Sequence, residues 1–149
     1  MRILIVEDDE PKARNIKVFI SELVGKVELR VSKSLRSGID DLFNWQPNLV
    51  ILDMTMPTYD IGPEESGGKP QGFGGKELMG QMERFDLNIP VVVVSQYGTF
   101  GQGSNAMSLG ELDQSLKNEF GSFYLGAVHY QPAVEGWKEK LHSVIKDLI

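Results

Sequence analysis

Short apolar runs alternate along the chain with longer segments whose apolar residues recur at helical spacing. Three of the runs are apolar without interruption, which is typical of strands that are covered on both faces of a parallel sheet. A fourth segment, KVELRV, alternates apolar and polar residues like a half-buried strand, and SFYLGAVHY is the last segment with strand character. In chain order, the predicted strands lie at residues 3–6, 26–31, 49–52, 91–94 and 122–130.

Apolar residues spaced three and four positions apart predict a helix after each of these strands. Pro11 suits the first turn of the first helix, and Ser34 is a candidate N-cap for the second. The predicted apolar stripes comprise Ile16, Phe19, Ile20, Leu23 and Val24; Leu35, Ile39, Leu42 and Phe43; Leu78, Met82 and Phe85; Leu109, Leu112, Leu116 and Phe120; and Val134, Trp137, Leu141, Val144 and Leu148.

Alternating strands and helices predict an α/β protein. The expected core is a single doubly wound five-stranded parallel sheet with helices on both faces and right-handed crossovers. Two glycine-rich segments, residues 58–75 and 96–107, interrupt the pattern and are predicted to be loop insertions. Because we find no internal repeat and no interdomain linker, we predict one domain spanning residues 1–149.

The composition narrows the class of protein. The 149 residues suffice for one domain with a real core, and the content of 41% apolar and 24% charged residues is ordinary. The net charge of −6 makes a nucleic-acid-binding surface a poor expectation, and the absence of cysteine excludes disulfides and thiol catalysis. No apolar run is long enough for a signal peptide or a membrane span, so we expect a cytoplasmic protein that binds no membrane.

Polar residues that could bind a metal ion or take part in a reaction follow three of the apolar runs. Glu7 and Asp8 follow the first run, Asp53 follows the third predicted strand, and Ser95 follows the fourth. In a doubly wound sheet, ligands bind beyond the carboxyl ends of the strands, so these groups are expected to meet at one edge. Clustered carboxylates repel one another unless a cation is present, and such oxygen ligands suit Mg²⁺. The alternative is that these residues are polar only because loops are exposed to water.

Three segments in this order, ILIVEDDEP, LVILDMTMP and VVVVS, resemble the receiver domain of two-component response regulators. The resemblance covers nearly the whole chain apart from the two glycine-rich segments. It implies a flavodoxin-like sheet with strand order 2-1-3-4-5. It further implies a phosphorelay, in which a sensor histidine kinase or a phosphotransfer protein donates a phosphoryl group to an aspartate.

The resemblance also implies roles for individual residues. Asp53 stands where the family has its phosphoacceptor, and Glu7 and Asp8 stand where it has the acids that hold Mg²⁺ together with the acceptor. Asp8 is expected to be the more direct ligand of that pair. Thr55 is expected to offer its backbone carbonyl to the metal. Ser95 is expected to hydrogen-bond the phosphoryl group and to couple it to loop movement.

The sequence departs from the family pattern at the end of the fifth predicted strand. Family members carry a lysine before a proline there, and this chain has Gln131 before Pro132. Glutamine brings no positive charge, and neutral hydrogen bonds are weaker than charge-assisted ones. Gln96 replaces the small residue that usually follows the Ser/Thr, and Val128 stands at the position of the aromatic switch residue.

These observations predict a stand-alone receiver domain that is phosphorylated on Asp53 and signals through a downstream protein partner. We expect no enzyme activity beyond self-catalysed aspartyl phosphorylation and dephosphorylation. Homodimerisation through the helices at residues 109–120 and 133–148 is left open. The alternative suggested by Gln131 is a pseudo-receiver, which would bind proteins without phosphorylation. A metal-dependent hydrolase is a third hypothesis, for which the sequence offers no general acid or base beyond the clustered acids.

Overall fold

The computed structural model describes residues 1–60, 74–101 and 103–149. Its main sheet has the order β2-β1-β3-β4-β7, and every neighbouring pair in it is parallel. This confirms the predicted fold class and strand order, since β7 is the fifth predicted strand. In chain order, the strands are β1 (Arg2–Val6), β2 (Glu28–Ser32), β3 (Leu49–Leu52), β4 (Val91–Ser95), β5 (Thr99–Phe100), β6 (Met107–Ser108) and β7 (Tyr124–His129).

Helices cover both faces of this sheet. Alternate strand residues point to opposite faces, so that Leu4 and Val50 contribute to one hydrophobic core and Ile3 and Ile51 to the other. The helices α2, α3 and α4 pack on the first core, and α1 and α5 pack on the second. The bounds of the helices are α1 (Glu10–Leu23), α2 (Leu35–Trp45), α3 (Gly74–Arg84), α4 (Leu109–Phe120) and α5 (Gly136–Ile145).

The predicted cap of the second helix is present. The Ser34 side chain accepts a hydrogen bond from the Ser37 backbone N–H, and the Ser37 hydroxyl accepts one from the Ser34 N–H. Such a capping box satisfies backbone donors that the first helical turn leaves free. It therefore sets the start of α2 directly after the turn that follows β2.

Some predicted apolar positions are not part of a buried helical face. Val134 and Leu148 lie outside α5 and are exposed, and Phe85 lies just past the end of α3. Phe43 is exposed on α2 and packs edge-on against Phe85, with ring centroids 5.3 Å apart. Spacing alone did not reveal that these residues lie at the margin of the core.

The glycine-rich segments differ in part from the predicted loops. Residues 61–73 lie outside the described residues, but Gly74 and Gly75, which were predicted to be loop, begin α3. The Gly75 N–H donates to the Met54 carbonyl, which ties this helix to the end of β3. In the second segment, β5 and β6 pair antiparallel around a short 3-10 helix (Gly103–Asn105), and Phe100 is buried. None of the described helices has the length and apolar character required to cross a membrane.

We expect Gly75→Ala to lower the free energy of unfolding by about 1–3 kcal/mol, because overpacking at a close contact is destabilising. An added Cβ would lie 2.8 Å from the Asp53 carbonyl oxygen and 2.8 Å from the Met54 sulfur. Gly80→Ala on the same helix is the matched control. Its Cβ would meet nothing within 4 Å, so alanine should stabilise α3 by up to about 1 kcal/mol. Urea denaturation measures both, and a neutral Gly75→Ala would contradict the close approach.

Candidate functional site

An acidic cavity of about 550 Å³ lies at the carboxyl edge of the sheet. It is open to solvent beside the ends of β1 and β3, where bound groups are expected in a doubly wound fold. The lining residues include every acid that follows β1 and the acid that follows β3. They are Glu7, Asp8, Asp9, Glu10, Pro11, Asp53, Thr55, Met56, Pro57, Gln96 and Tyr97.

The strand pairing brings three of these acids together. Val6 lies opposite Leu52 in the sheet, and the Asp53 N–H donates to the Val6 carbonyl across 3.0 Å. Carboxylate oxygens of Glu7, Asp8 and Asp53 lie within 4.8 Å of one another. Glu7 and Asp53 are buried, whereas Asp8 is exposed. Residues far apart in sequence thus form one acidic cluster.

The third acid after β1 has a different task. Asp9 is the N-cap of α1, and its side chain accepts a hydrogen bond from the Lys12 backbone N–H at 3.0 Å. Its own N–H donates to Glu7 Oε1 across 3.0 Å. A capping carboxylate satisfies a free backbone donor and interacts favourably with the helix dipole. Asp9 therefore caps α1, and the acidic cluster consists of Glu7, Asp8 and Asp53.

A buried lysine enters the acidic cluster from α1. The Lys12 side chain is fully buried, and its Nζ lies 2.6 Å from Glu7 Oε2 and 3.3 Å from Asp53 Oδ1. The same Nζ donates to the Val94 carbonyl of β4 across 2.7 Å. A lysine is almost never this buried unless it is paired. Lys12 is thus a member of the site.

Lys12 was not among the predicted site residues, although the sequence carried a signal for it. It stands one helical turn before Ile16 and two turns before Ile20. That spacing puts it on the apolar stripe of α1, where a charged residue requires a buried partner. What spacing could not show is which carboxylates its side chain reaches.

Burial disfavours the charged forms of the two acids beside Lys12 more than the Lys12 ammonium favours them. Burial raises the pKa of Glu7 to about 8, although the Lys12 ammonium pulls the other way. Burial also raises the pKa of Asp53, again against the effect of Lys12, and the nearby Asp8 charge adds to the rise. Among the described residues, Asp53 Oδ1 has no hydrogen-bond partner. Three clustered carboxylates, two of which are costly to ionise beside Lys12 alone, are oxygen ligands that fit a hard divalent cation.

The remaining predicted site residues are divided between the cavity and its surroundings. Thr55 and Gln96 line the cavity. Ser95 is fully buried at the end of β4, and its hydroxyl donates to the Tyr97 carbonyl and accepts from the Tyr97 N–H. Both hydrogen-bonding functions of this hydroxyl are therefore engaged with the loop that follows β4.

Two predicted positions on the last strand lie elsewhere. Gln131 is exposed, its carbonyl accepts a hydrogen bond from the Val134 N–H, and it is not one of the described residues that line the cavity. Val128 is buried in the core beneath α1 and α5. Tyr130 is also buried, and its hydroxyl accepts a hydrogen bond from the Asn15 side chain.

Comparisons with known proteins relate this chain to response regulators. No protein-family model matches the sequence. The chain is 32% identical over 146 residues to the uncharacterized protein y4jR of Sinorhizobium fredii, across 96% of this chain and 95% of that protein. It is 29% identical over 150 residues to the Detocs response regulatory protein DtcB of Enterobacter cloacae, across 99% of this chain and 100% of that protein.

A solved structure shows the same fold. The phosphorylated cyanobacterial phytochrome response regulator RcpA superposes with a TM-score of 0.65, over 97% of this chain and 91% of that chain. The two sequences are 16% identical, so this likeness concerns the fold alone.

We expect the neighbouring acids Asp8 and Asp9 to differ in their effect on stability. Asp9→Ala should lower the free energy of unfolding by about 1 kcal/mol, because it removes the N-cap of α1. Asp8→Ala should change it by less than about 0.5 kcal/mol, because that side chain is exposed. Chemical denaturation in the presence of EDTA measures both variants. Equal losses for the two would contradict the division of roles.

Proposed function

This chain belongs to the receiver domains of response regulators, and from that premise we propose that it accepts a phosphoryl group on Asp53. The observation that carries the proposal is the state of Asp53. It is buried at the end of β3, lines the acidic cavity, and has an Oδ1 without a hydrogen-bond partner among the described residues. The Asp53 carboxylate is ion-paired with Lys12 at 3.3 Å and lines the cavity, where a carboxylate can act as a nucleophile.

The proposed reaction transfers a phosphoryl group from a phosphohistidine donor, for which acetyl phosphate is a laboratory substitute. With acetyl phosphate, an Asp53 oxygen forms a bond to phosphorus, the bond between phosphorus and the acetate oxygen breaks, and acetate leaves with the electron pair. Positioning and charge neutralisation provide most of the catalysis in such reactions. Asp53, held by its N–H to the Val6 carbonyl, is positioned by the sheet itself.

We propose that Mg²⁺ is held by the carboxylates of Glu7, Asp8 and Asp53 and by the backbone carbonyl of Thr55. The close approach of the three carboxylates supports this assignment, and so does the raised pKa of Glu7 and Asp53, which a nearby cation would lower. When bound, Mg²⁺ neutralises charge on the oxygens of the transferring phosphoryl group. Glu7 is braced for this task by the Asp9 N–H and by Lys12.

Ser95 is the proposed link between phosphorylation and the loop after β4. To donate a hydrogen bond to a phosphoryl group, its hydroxyl must give up the one that it donates to the Tyr97 carbonyl. Loss of that bond would release the loop that leads into β5 and β6. Phosphorylation would thereby change the surface around the exposed Tyr97.

The proposed partners are a sensor histidine kinase or a phosphotransfer protein as donor and a downstream protein as receiver of the signal, in the cytoplasm. The name of the relative DtcB, a response regulatory protein, supports this class of partner. We propose the face formed by α4, β7 and α5 for the downstream partner or for a second copy of the chain. A groove of about 350 Å³ there is lined by Leu109, Gly110, Asp113, Ala127, His129, Gly136, Trp137 and Lys140.

Incubation with Mg²⁺ and acetyl phosphate tests the acceptor. The wild-type chain should gain the mass of one phosphoryl group, and Asp53→Asn should gain none, because an amide is a poor nucleophile. Asp60→Asn is the control, since Asp60 accepts a hydrogen bond from the Ser37 hydroxyl and does not line the cavity. Intact-protein mass spectrometry measures all three. An unmodified wild-type chain that also fails to bind beryllofluoride would overturn the proposal.

Titration with Mg²⁺ tests the metal ligands separately. Asp8→Asn should weaken binding by about tenfold or more, because it removes one of the few charged oxygen ligands. Asp9→Asn should bind Mg²⁺ like the wild-type chain, because this side chain caps α1. Isothermal calorimetry gives both affinities, and a tight site that survives Asp8→Asn would remove Asp8 from the ligand set.

One observation favours the pseudo-receiver as a second candidate. Gln131 stands where the family has its lysine, and it is exposed rather than directed at the acidic cavity. A docking module that is not phosphorylated would bind its partner equally well as wild type and as Asp53→Asn. Loss of partner binding or of signalling in Asp53→Asn would eliminate this alternative.

A further inference from the structure

Lys12 places a positive charge next to the proposed phosphoacceptor, and it does so from α1 rather than from the end of β7. Its Nζ arrives from the first turn of α1 and lies 3.3 Å from Asp53 Oδ1. Two of the three ammonium donors have close acceptors, which are Glu7 Oε2 at 2.6 Å and the Val94 carbonyl at 2.7 Å. The ammonium is thereby held in place, with Asp53 as its next neighbour.

An ion pair with Glu7 alone does not account for this arrangement. Glu7 would be compensated equally well by a lysine that stayed clear of Asp53. Here the ammonium lies between both carboxylates, and the Asp53 oxygen nearest to it forms no hydrogen bond within the described part of the chain. The contact of Lys12 with Asp53 is therefore electrostatic.

The end of β7 offers no replacement charge. Gln131 is neutral and exposed, and its carbonyl belongs to the turn that leads to α5. A phosphoryl group on Asp53 carries negative charge on its oxygens, and a buried site must supply cationic or hydrogen-bond partners for it. Five of the eleven described residues that line the cavity are acids and none is basic, so the nearby buried ammonium of Lys12 is the cationic side chain suited to this role.

We propose that Lys12 is the cationic partner of the phosphoryl group on Asp53, supplied from α1 in place of a lysine at the end of β7. This inference rests on the proposed phosphorylation of Asp53. As the bond between the Asp53 oxygen and phosphorus forms and acetate departs, the Lys12 ammonium stays protonated and compensates the charge on the phosphoryl oxygens. Lys12 thus stabilises the phosphorylated state without taking part in bond making.

Lys12→Met tests the proposal, with Lys17→Met as a control for an exposed lysine of the same helix. Phosphorylation by acetyl phosphate should be slower by about tenfold or more in Lys12→Met, because a charge-assisted contact is lost. It should be unchanged in Lys17→Met. Mg²⁺ affinity should stay equal or rise in Lys12→Met, because a like charge has left the acidic cluster.

Slower phosphorylation without weaker Mg²⁺ binding separates this role of Lys12 from a merely structural one. A damaged fold would weaken Mg²⁺ binding and phosphorylation together, and that result would overturn the proposal. Should Lys12→Met fail to fold by circular dichroism, Lys12→Gln takes its place, since it keeps polar contacts but removes the charge. A phosphorylation rate close to wild type in the folded neutral variant would also overturn it.

A wild-type chain that is neither phosphorylated nor bound by beryllofluoride would overturn the proposed function and this inference together, whereas normal phosphorylation of the neutral variants refutes the inference alone.

Discussion

The acidic edge of this protein depends on the ion pairs that the buried Lys12 ammonium forms with Glu7 and Asp53. Two carboxylates, Glu7 and Asp53, are withdrawn from water beside it, and burial raises the pKa of each. Without a cation between them, their mutual repulsion and the cost of desolvation would oppose the folded arrangement. The one positive charge of Lys12 offsets part of this cost.

The same lysine joins the local order of α1 to the sheet. Asp9 caps the helix through the Lys12 N–H, and the Lys12 side chain reaches the Val94 carbonyl on β4. The helix start, the end of β1 and the end of β4 are therefore held by contacts that meet at one residue. This geometry fixes the position of Asp53, whose backbone N–H is paired to β1 and whose carboxylate contacts Lys12 and lines the cavity. Such fixed positioning suits the proposed phosphoacceptor, because positioning contributes much of the rate of phosphoryl transfer.

In this receiver domain the proposed cationic partner is the Lys12 side chain on α1. The site is therefore linked to different elements than in the family pattern. Charge supplied from the end of the last strand would connect the site directly to α5, whereas Lys12 connects it to α1 and β4. Ser95, at the end of β4, has both hydrogen-bonding functions engaged with Tyr97. The contacts that link the site to β4 are those of the Val94 carbonyl with Lys12 and of the Ser95 hydroxyl with Tyr97.

The sequence by itself determined the class of fold, because continuous apolar runs and helical spacing report burial directly. The strand order followed from the resemblance to receiver domains, and the acids of the cluster were indicated by their place directly after apolar strands. The sequence also indicated the Ser34 cap, since capping is a local interaction. The start of α3 at Gly74, the hairpin of β5 and β6, and the marginal positions of Phe43 and Phe85 were decided by tertiary contacts. Tertiary structure also decided the contacts of Lys12, because its partners Glu7, Asp53 and Val94 come together only when β1, β3 and β4 lie side by side. Periodicity records which face of an element is buried, but the reach of one side chain across 82 positions of sequence exists only in the folded chain.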